Sequence, residues 1–181
     1  RERRTLRWSY PEAAPEILPA VRALGADPAL LLAIMRRGSG FRPDVRSHAR
    51  AQGLLQLVPP TARRPAPLLG LPERTDGPLD DPDRNVRLGA HYLALLADRF
   101  GHPALVAAAY NAGPGVVAAW TGERAGEPLD EWVESIPWRE TRQYVKIVLP
   151  VWAIYRELRA DPRQPVEPGR PVAPARRGVA F

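Results

Sequence analysis

The chain has no cysteine, a single lysine (Lys146), a single methionine (Met35) and no apolar run approaching the ~20 residues that span a bilayer. Without cysteine there is no disulfide framework, no thiolate metal site and no thiol nucleophile. The three histidines, His48, His91 and His102, are too scattered for a histidine zinc motif and read as surface residues. Asp80-Asp81-Pro82-Asp83 lacks the glycine and terminal glutamate of a calcium loop, and no glycine-rich phosphate cradle occurs. Gly38-Ser39-Gly40 is too short for a nucleophile elbow. No metal and no cofactor are therefore expected. Arg1-Glu2-Arg3-Arg4 has no apolar stretch behind it, so no signal peptide is expected there. What is present is 181 residues, 45% of them apolar, enough for one soluble domain with appendages. The net charge of +6 is carried almost wholly by arginine. Such basicity suits a polyanionic partner such as nucleic acid, an anionic wall polymer or a lipid surface, although scattered arginines also suit a plain solvated surface.

Helical signals dominate. Asp27-Pro28 pairs an N-cap with proline at the first helical position and leads into Ala29–Met35. Asp81-Pro82 repeats the device and predicts a helix through Leu88, Tyr92, Leu95 and Leu96, stopped by Gly101. Pro103 starts a short apolar helix over Ala104–Tyr110, which Gly113 and Pro114 should end. From about Arg139 to Leu158, apolar residues recur at three- and four-residue steps, and Pro150 should kink or split that helix. No segment alternates as a strand would, so the fold class is all-α. Residues 63–80 are rich in proline and glycine and predict an extended loop. In the tail, 159–181, Pro162, Pro165, Pro168, Pro171 and Pro174 keep a three-residue period. That matches the turn of polyproline II, and predicts a linker or a strap on the domain, with no apolar period to join the core.

Four stretches carry more. Ala33-Ile34-Met35-Arg36-Arg37-Gly38-Ser39-Gly40-Phe41 is followed by Gly53-Leu54-Leu55-Gln56-Leu57-Val58-Pro59, then by Tyr110-Asn111-Ala112-Gly113 and Glu140-Thr141-Arg142-Gln143-Tyr144-Val145. In this order they resemble the catalytic domain of soluble lytic murein transglycosylases, lysozyme-like enzymes that cut bacterial peptidoglycan. The resemblance covers about residues 8–158 and implies a lysozyme-like transglycosylase domain over residues 1–158. It also implies that Gly38 stands where the family has its catalytic glutamate. That one carboxyl protonates the β-1,4 glycosidic oxygen between N-acetylmuramic acid and N-acetylglucosamine. It then acts as base on the muramyl 6-hydroxyl, which closes onto C1 as a 1,6-anhydro sugar without consuming water. Such an acid needs a dry, apolar setting that keeps it protonated.

By the same resemblance, Ser47, Gln56, Tyr110, Asn111 and Glu134 are the substrate-binding positions, and Ser39 supports the turn after the acid. Ser39 and Ser47 also read simply as turn caps, and Asn111 with Gly113 as a helix stop. Gln56, alone in a leucine-rich run, needs polar partners that a sugar would supply. The expected partners are glycan strands of peptidoglycan and other cell-wall or envelope proteins, in the bacterial periplasm or envelope. Without the catalytic carboxyl the chain is expected to bind glycan as an inactive or crippled transglycosylase domain, and catalysis through Glu134, or through a water in the space left at Gly38, is the enzymatic alternative. A basic nucleic-acid-binding helical domain is the alternative of another class. Trp120, Trp132, Tyr144 and Trp152 at core-like spacing speak against it, and no nucleic-acid partner is expected.

Overall fold

A computed structural model describes residues 10, 18–63, 79–159 and 169–178. Most of the predicted loop (64–78) and the tail prolines 162, 165 and 168 lie outside the described residues. Among those described there are eight helices and no strand, only isolated bridges. They are α1 (Leu18–Ala23), α2 (Pro28–Gly38), α3 (Pro59–Arg63), α4 (Pro82–Phe100), α5 (Pro103–Ala112), α6 (Pro114–Glu123), α7 (Leu129–Glu134) and α8 (Arg139–Leu158). None of them is long and apolar enough to cross a membrane. The chain packs as two compact units, up to Ala94 and from Leu95 onward.

In the first unit α2 is buried except over its last turn. Asp27 accepts the Ala29 amide at 2.8 Å, capping the helix as predicted. Every residue from Pro28 to Met35 is buried, and α1 packs against this helix. The loop 45–57 closes on itself through bridges from Arg46 to Gln52 and from Gln52 to Leu57. Asn85 on α4 fastens it. Its Oδ1 accepts the Leu55 amide at 2.8 Å, and its Nδ2 donates to the Gln52 and Leu79 carbonyls at 3.0 and 2.8 Å. Gly53 lies at φ +77°, and a Cβ there would overlap the Leu79 carbonyl and the Asn85 amide, so only glycine fits.

The second unit is built on α5 and α8, which pack together, with α6 against α5 and α7 against α8. Gly113 ends α5 as predicted, but Pro114 at once opens α6, since its fixed φ suits a first helical position. Nor does Pro150 split α8, which runs unbroken for 20 residues. Pro150 is exposed, while Tyr144, Val145, Val148, Trp152 and Tyr155 are buried on both sides of it. Packing along that stripe outweighs one lost backbone bond. Trp132, Tyr144 and Trp152 belong to the core as expected. Trp120 does not: it is half-buried and meets the exposed Trp138 edge-on, centroids 5.4 Å apart.

The proline-spaced tail is more than a solvated linker. Residues 170–176 lie along this unit through four backbone bonds. Leu129 N donates to Arg170 O, Gly126 N to Val172 O, Val172 N to Glu127 O and Arg176 N to Arg99 O, at 2.8–3.1 Å. Val172 is buried beneath them. One apolar side chain in step with these bonds seats the segment without any apolar period.

Candidate functional site

Gly38, Ser39 and Gln56 gather at the end of α2. Gly38 is the last residue of that helix and is solvent-exposed, although Leu31, Ile34 and Met35 behind it are buried. The helix stop lies further on. Ser39, at φ −96° and ψ −15°, is the C-cap, and Gly40, at φ +59°, carries the left-handed turn. Both amides donate to the Met35 carbonyl, at 3.0 and 3.1 Å. Nothing in the backbone therefore requires glycine at 38. A Cβ there would meet Gln56 Cγ at 3.2 Å, a tight contact that requires the Gln56 side chain to shift slightly, and nothing else closer than 3.6 Å.

Ser39 is buried and fully engaged, donating from Oγ to the Leu54 carbonyl at 2.8 Å and accepting the Phe41 amide at 3.1 Å. It thus ties α2 to the 53–57 turn. Gln56 sits in left-handed backbone at φ +49°, a strained place for a non-glycine residue. Its Nε2 donates to the Val45 and Gly53 carbonyls, both at 2.9 Å, which offsets that strain. The partners expected from a sugar are here supplied by the chain for the amide nitrogen, and only Oε1 is left to face a ligand. Ser47 is exposed, and its Oγ accepts the Ala51 amide at 3.1 Å, which is the turn-capping role.

In the second unit Tyr110 and Asn111 form the last turn of α5, both half-buried. Asn111 Oδ1 accepts from the buried Thr141 hydroxyl of α8 at 2.6 Å, so the orientation of its amide is fixed from behind. Sequence reasoning gave Asn111 a role and Thr141 none, although Thr141 lies inside a quoted stretch. Glu134, the last residue of α7, is exposed and bridges Lys146 Nζ at 2.6 Å. It has neither the apolar enclosure nor the isolation from cations that a carboxylic acid donor needs.

His102 corrects the reading of the histidines as surface residues. Its Nδ1 accepts the Ala104 amide at 3.1 Å and so caps α5. Burial, and after it the nearby charge of Arg170, lowers its pKa from 6.5 to about 4. Among the described residues no three histidine, aspartate or glutamate side chains gather where they could hold a metal ion.

Residues 17–133 match the family profile of the transglycosylase SLT domain. The soluble lytic murein transglycosylase of Salmonella typhimurium is 43% identical over 131 residues, 70% of this chain but 20% of that protein. The enzyme of Escherichia coli K12 is 42% identical over 134 residues, 72% of this chain and 21% of its own length. The chain thus spans about a fifth of these curated relatives. Among solved structures, an inactive glutamate-to-glutamine mutant of lytic transglycosylase Slt from Pseudomonas aeruginosa matches with a TM-score of 0.80 at 39% identity, covering 87% of this chain and 26% of that one. The 70-kDa soluble lytic transglycosylase of Escherichia coli matches with a TM-score of 0.78 at 36% identity, covering 86% and 26%, and a complex of the 70-kDa soluble lytic transglycosylase with bulgecin A matches with a TM-score of 0.77 at 35% identity, covering 86% and 26%. The likeness extends well beyond the fold, and the chain belongs to the transglycosylase SLT domain family of lytic murein transglycosylases.

Proposed function

We propose that this chain binds peptidoglycan glycan strands but does not cut them, because Gly38 occupies the place of the family's general acid and base. The observation that carries the proposal is the geometry at the end of α2. Gly38 lies in ordinary helical backbone, where glycine is not required, and the only close neighbour of a side chain there is that of Gln56, at 3.2 Å from an added Cβ. A relative inactivated by one glutamate-to-glutamine change fits this reading, since a single carboxyl then makes the difference between cutting and not cutting.

In the family reaction one carboxyl delivers a proton to the leaving oxygen and then takes one from the muramyl 6-hydroxyl. Each such transfer by a positioned group contributes roughly 10²–10⁴-fold. With a hydrogen atom at position 38 both transfers are lost. The salt-bridged and exposed Glu134 is no substitute. Ser47 and Gln56 in the first unit, and Tyr110, Asn111 and Glu134 in the second, are the proposed glycan contacts, acting at the cell wall in the bacterial periplasm or envelope.

The test is binding and turnover on the same material. The chain should co-sediment with purified peptidoglycan sacculi, and should bind bulgecin A in calorimetry, while releasing no 1,6-anhydromuropeptide above a blank. Anhydro-product release that disappears in Glu134→Gln would make Glu134 the acid and defeat the proposal.

A further inference from the structure

The second unit has a cavity of about 140 Å³ that none of the proposed glycan contacts lines. It opens where the 170–176 segment crosses the corner between α4 and α5. Part of its lining is apolar and buried: Phe100, Leu105, Leu129 and Val172. The polar part is Arg99, His102, Arg170 and Arg176, with no carboxylate among the lining residues. Asp98 reaches Arg176 from outside the lining at 3.4 Å, but both groups are largely exposed and such a pair is weak.

Two features make this a built place rather than a chance basic patch. Arg170 and Arg176 are carried on backbone that is pinned by their own main-chain atoms, Arg170 O to Leu129 N and Arg176 N to Arg99 O. The segment is thus held by its main chain, with only the weak Arg176–Asp98 pair added by these two side chains. Second, Nδ1 of His102 is engaged as an acceptor, so the neutral ring carries its proton on Nε2 and offers a donor there. The lining then combines guanidinium charge, a neutral N–H donor and apolar walls that raise the strength of any ionic contact.

We propose that this pocket binds a compact oxyanion, a phosphate or carboxylate group, held by Arg170, Arg176 and the Nε2–H of His102. Arginine suits such planar or tetrahedral oxyanions because its fork donates two parallel hydrogen bonds. The volume limits the ligand: it has room for several waters, hence for one anionic group and not for a disaccharide. The pocket is therefore separate in kind from the glycan contacts. It would take a free anion or the charged end of a larger molecule.

The full chain, with its histidine ring resonances assigned, is titrated with sodium phosphate and in parallel with sodium acetate, with sodium chloride holding ionic strength constant. The expected result is a saturable shift of the His102 ring signals by at least one of the two anions and none by chloride. Saturation by phosphate alone identifies a phosphate site, and saturation by acetate a carboxylate site. Arg170→Gln combined with Arg176→Gln should weaken that saturation at least ~10-fold while leaving the melting temperature unchanged, since only side chains are altered. If the double variant fails to fold, Arg170→Gln alone is read in the same way. A His102 response that chloride reproduces, or binding that survives in the folded variants, would overturn the assignment.

Discussion

Asn85 shows how much a single side chain supports. Fully buried, it bonds the Leu55 amide and the Gln52 and Leu79 carbonyls, and so fixes the turn that presents Gln56. Asn85→Ala would remove the partner of the Leu55 amide and of the Leu79 carbonyl, while the Gln52 carbonyl keeps the Leu57 amide, at about 1–3 kcal/mol for each buried group left wanting and about 3 kcal/mol overall. For a chain of this size that is a melting-temperature loss of roughly 6–12 °C, measurable by calorimetry. A loss under about 2 °C would mean that water replaces the asparagine without penalty. His102 makes a second residue-scale prediction. Its pKa is lowered on folding to about 4, so the unfolded chain takes up the proton first. Its contribution is complete above about 6.5 and is lost as pH falls toward about 4. His102→Asn keeps a capping acceptor but does not titrate. Across that window the wild type should therefore lose stability relative to His102→Asn, by on the order of 1 kcal/mol after allowance for partial exposure. Parallel denaturant titrations at several pH values decide it, and equal pH slopes would refute it. Neither role was legible in the sequence. A hydrogen bond spanning 30 residues leaves no periodic mark, and a histidine cap looks like any loop histidine.

At the scale of elements, helices with punctuated ends were readable and unpunctuated ones were not. Asp27-Pro28, Asp81-Pro82 and Pro103 each start a helix where their chemistry says they should. The short helices α1 and α7 have too few residues for a period, and α7 has no side-chain cap to announce it, while α6 hides behind a glycine and proline that read as a stop. The 170–176 segment is the element whose role changed most between sequence and structure. Its proline period gave its extended form, but Val172, its one buried side chain, is invisible to any pattern. Deleting residues 169–181 removes that burial and four backbone bonds, offset by the chain entropy released. A net loss of about 1–3 kcal/mol is expected, seen as a melting-temperature drop of several degrees, and Val172→Asp should reproduce much of it. An unchanged melt in both variants would show that the segment rests on the surface without stabilising it.

At the scale of the molecule, the ordered motifs were enough to reach the family, because each stretch keeps its residue types and its sequence order across both units. What they could not convey is how those residues are held: Gln56 by two backbone carbonyls, Asn111 by Thr141 and Glu134 by Lys146. The central claim concerns one absent side chain, and restoring it is the most direct test. Gly38→Glu should fold. Replacing a helical glycine gains about 0.5–1 kcal/mol, which the unfavourable carboxylate at a helix C-terminus, about 0.3–1 kcal/mol, roughly cancels. Gly38→Gln supplies nearly the same volume without a proton to give. The measurement is 1,6-anhydromuropeptide release from sacculi, followed by mass spectrometry, for the parent chain and both variants. The account predicts release by Gly38→Glu alone, roughly 10⁴-fold above the other two. Equal release by all three, or none by a folded, sacculus-binding Gly38→Glu, would contradict it.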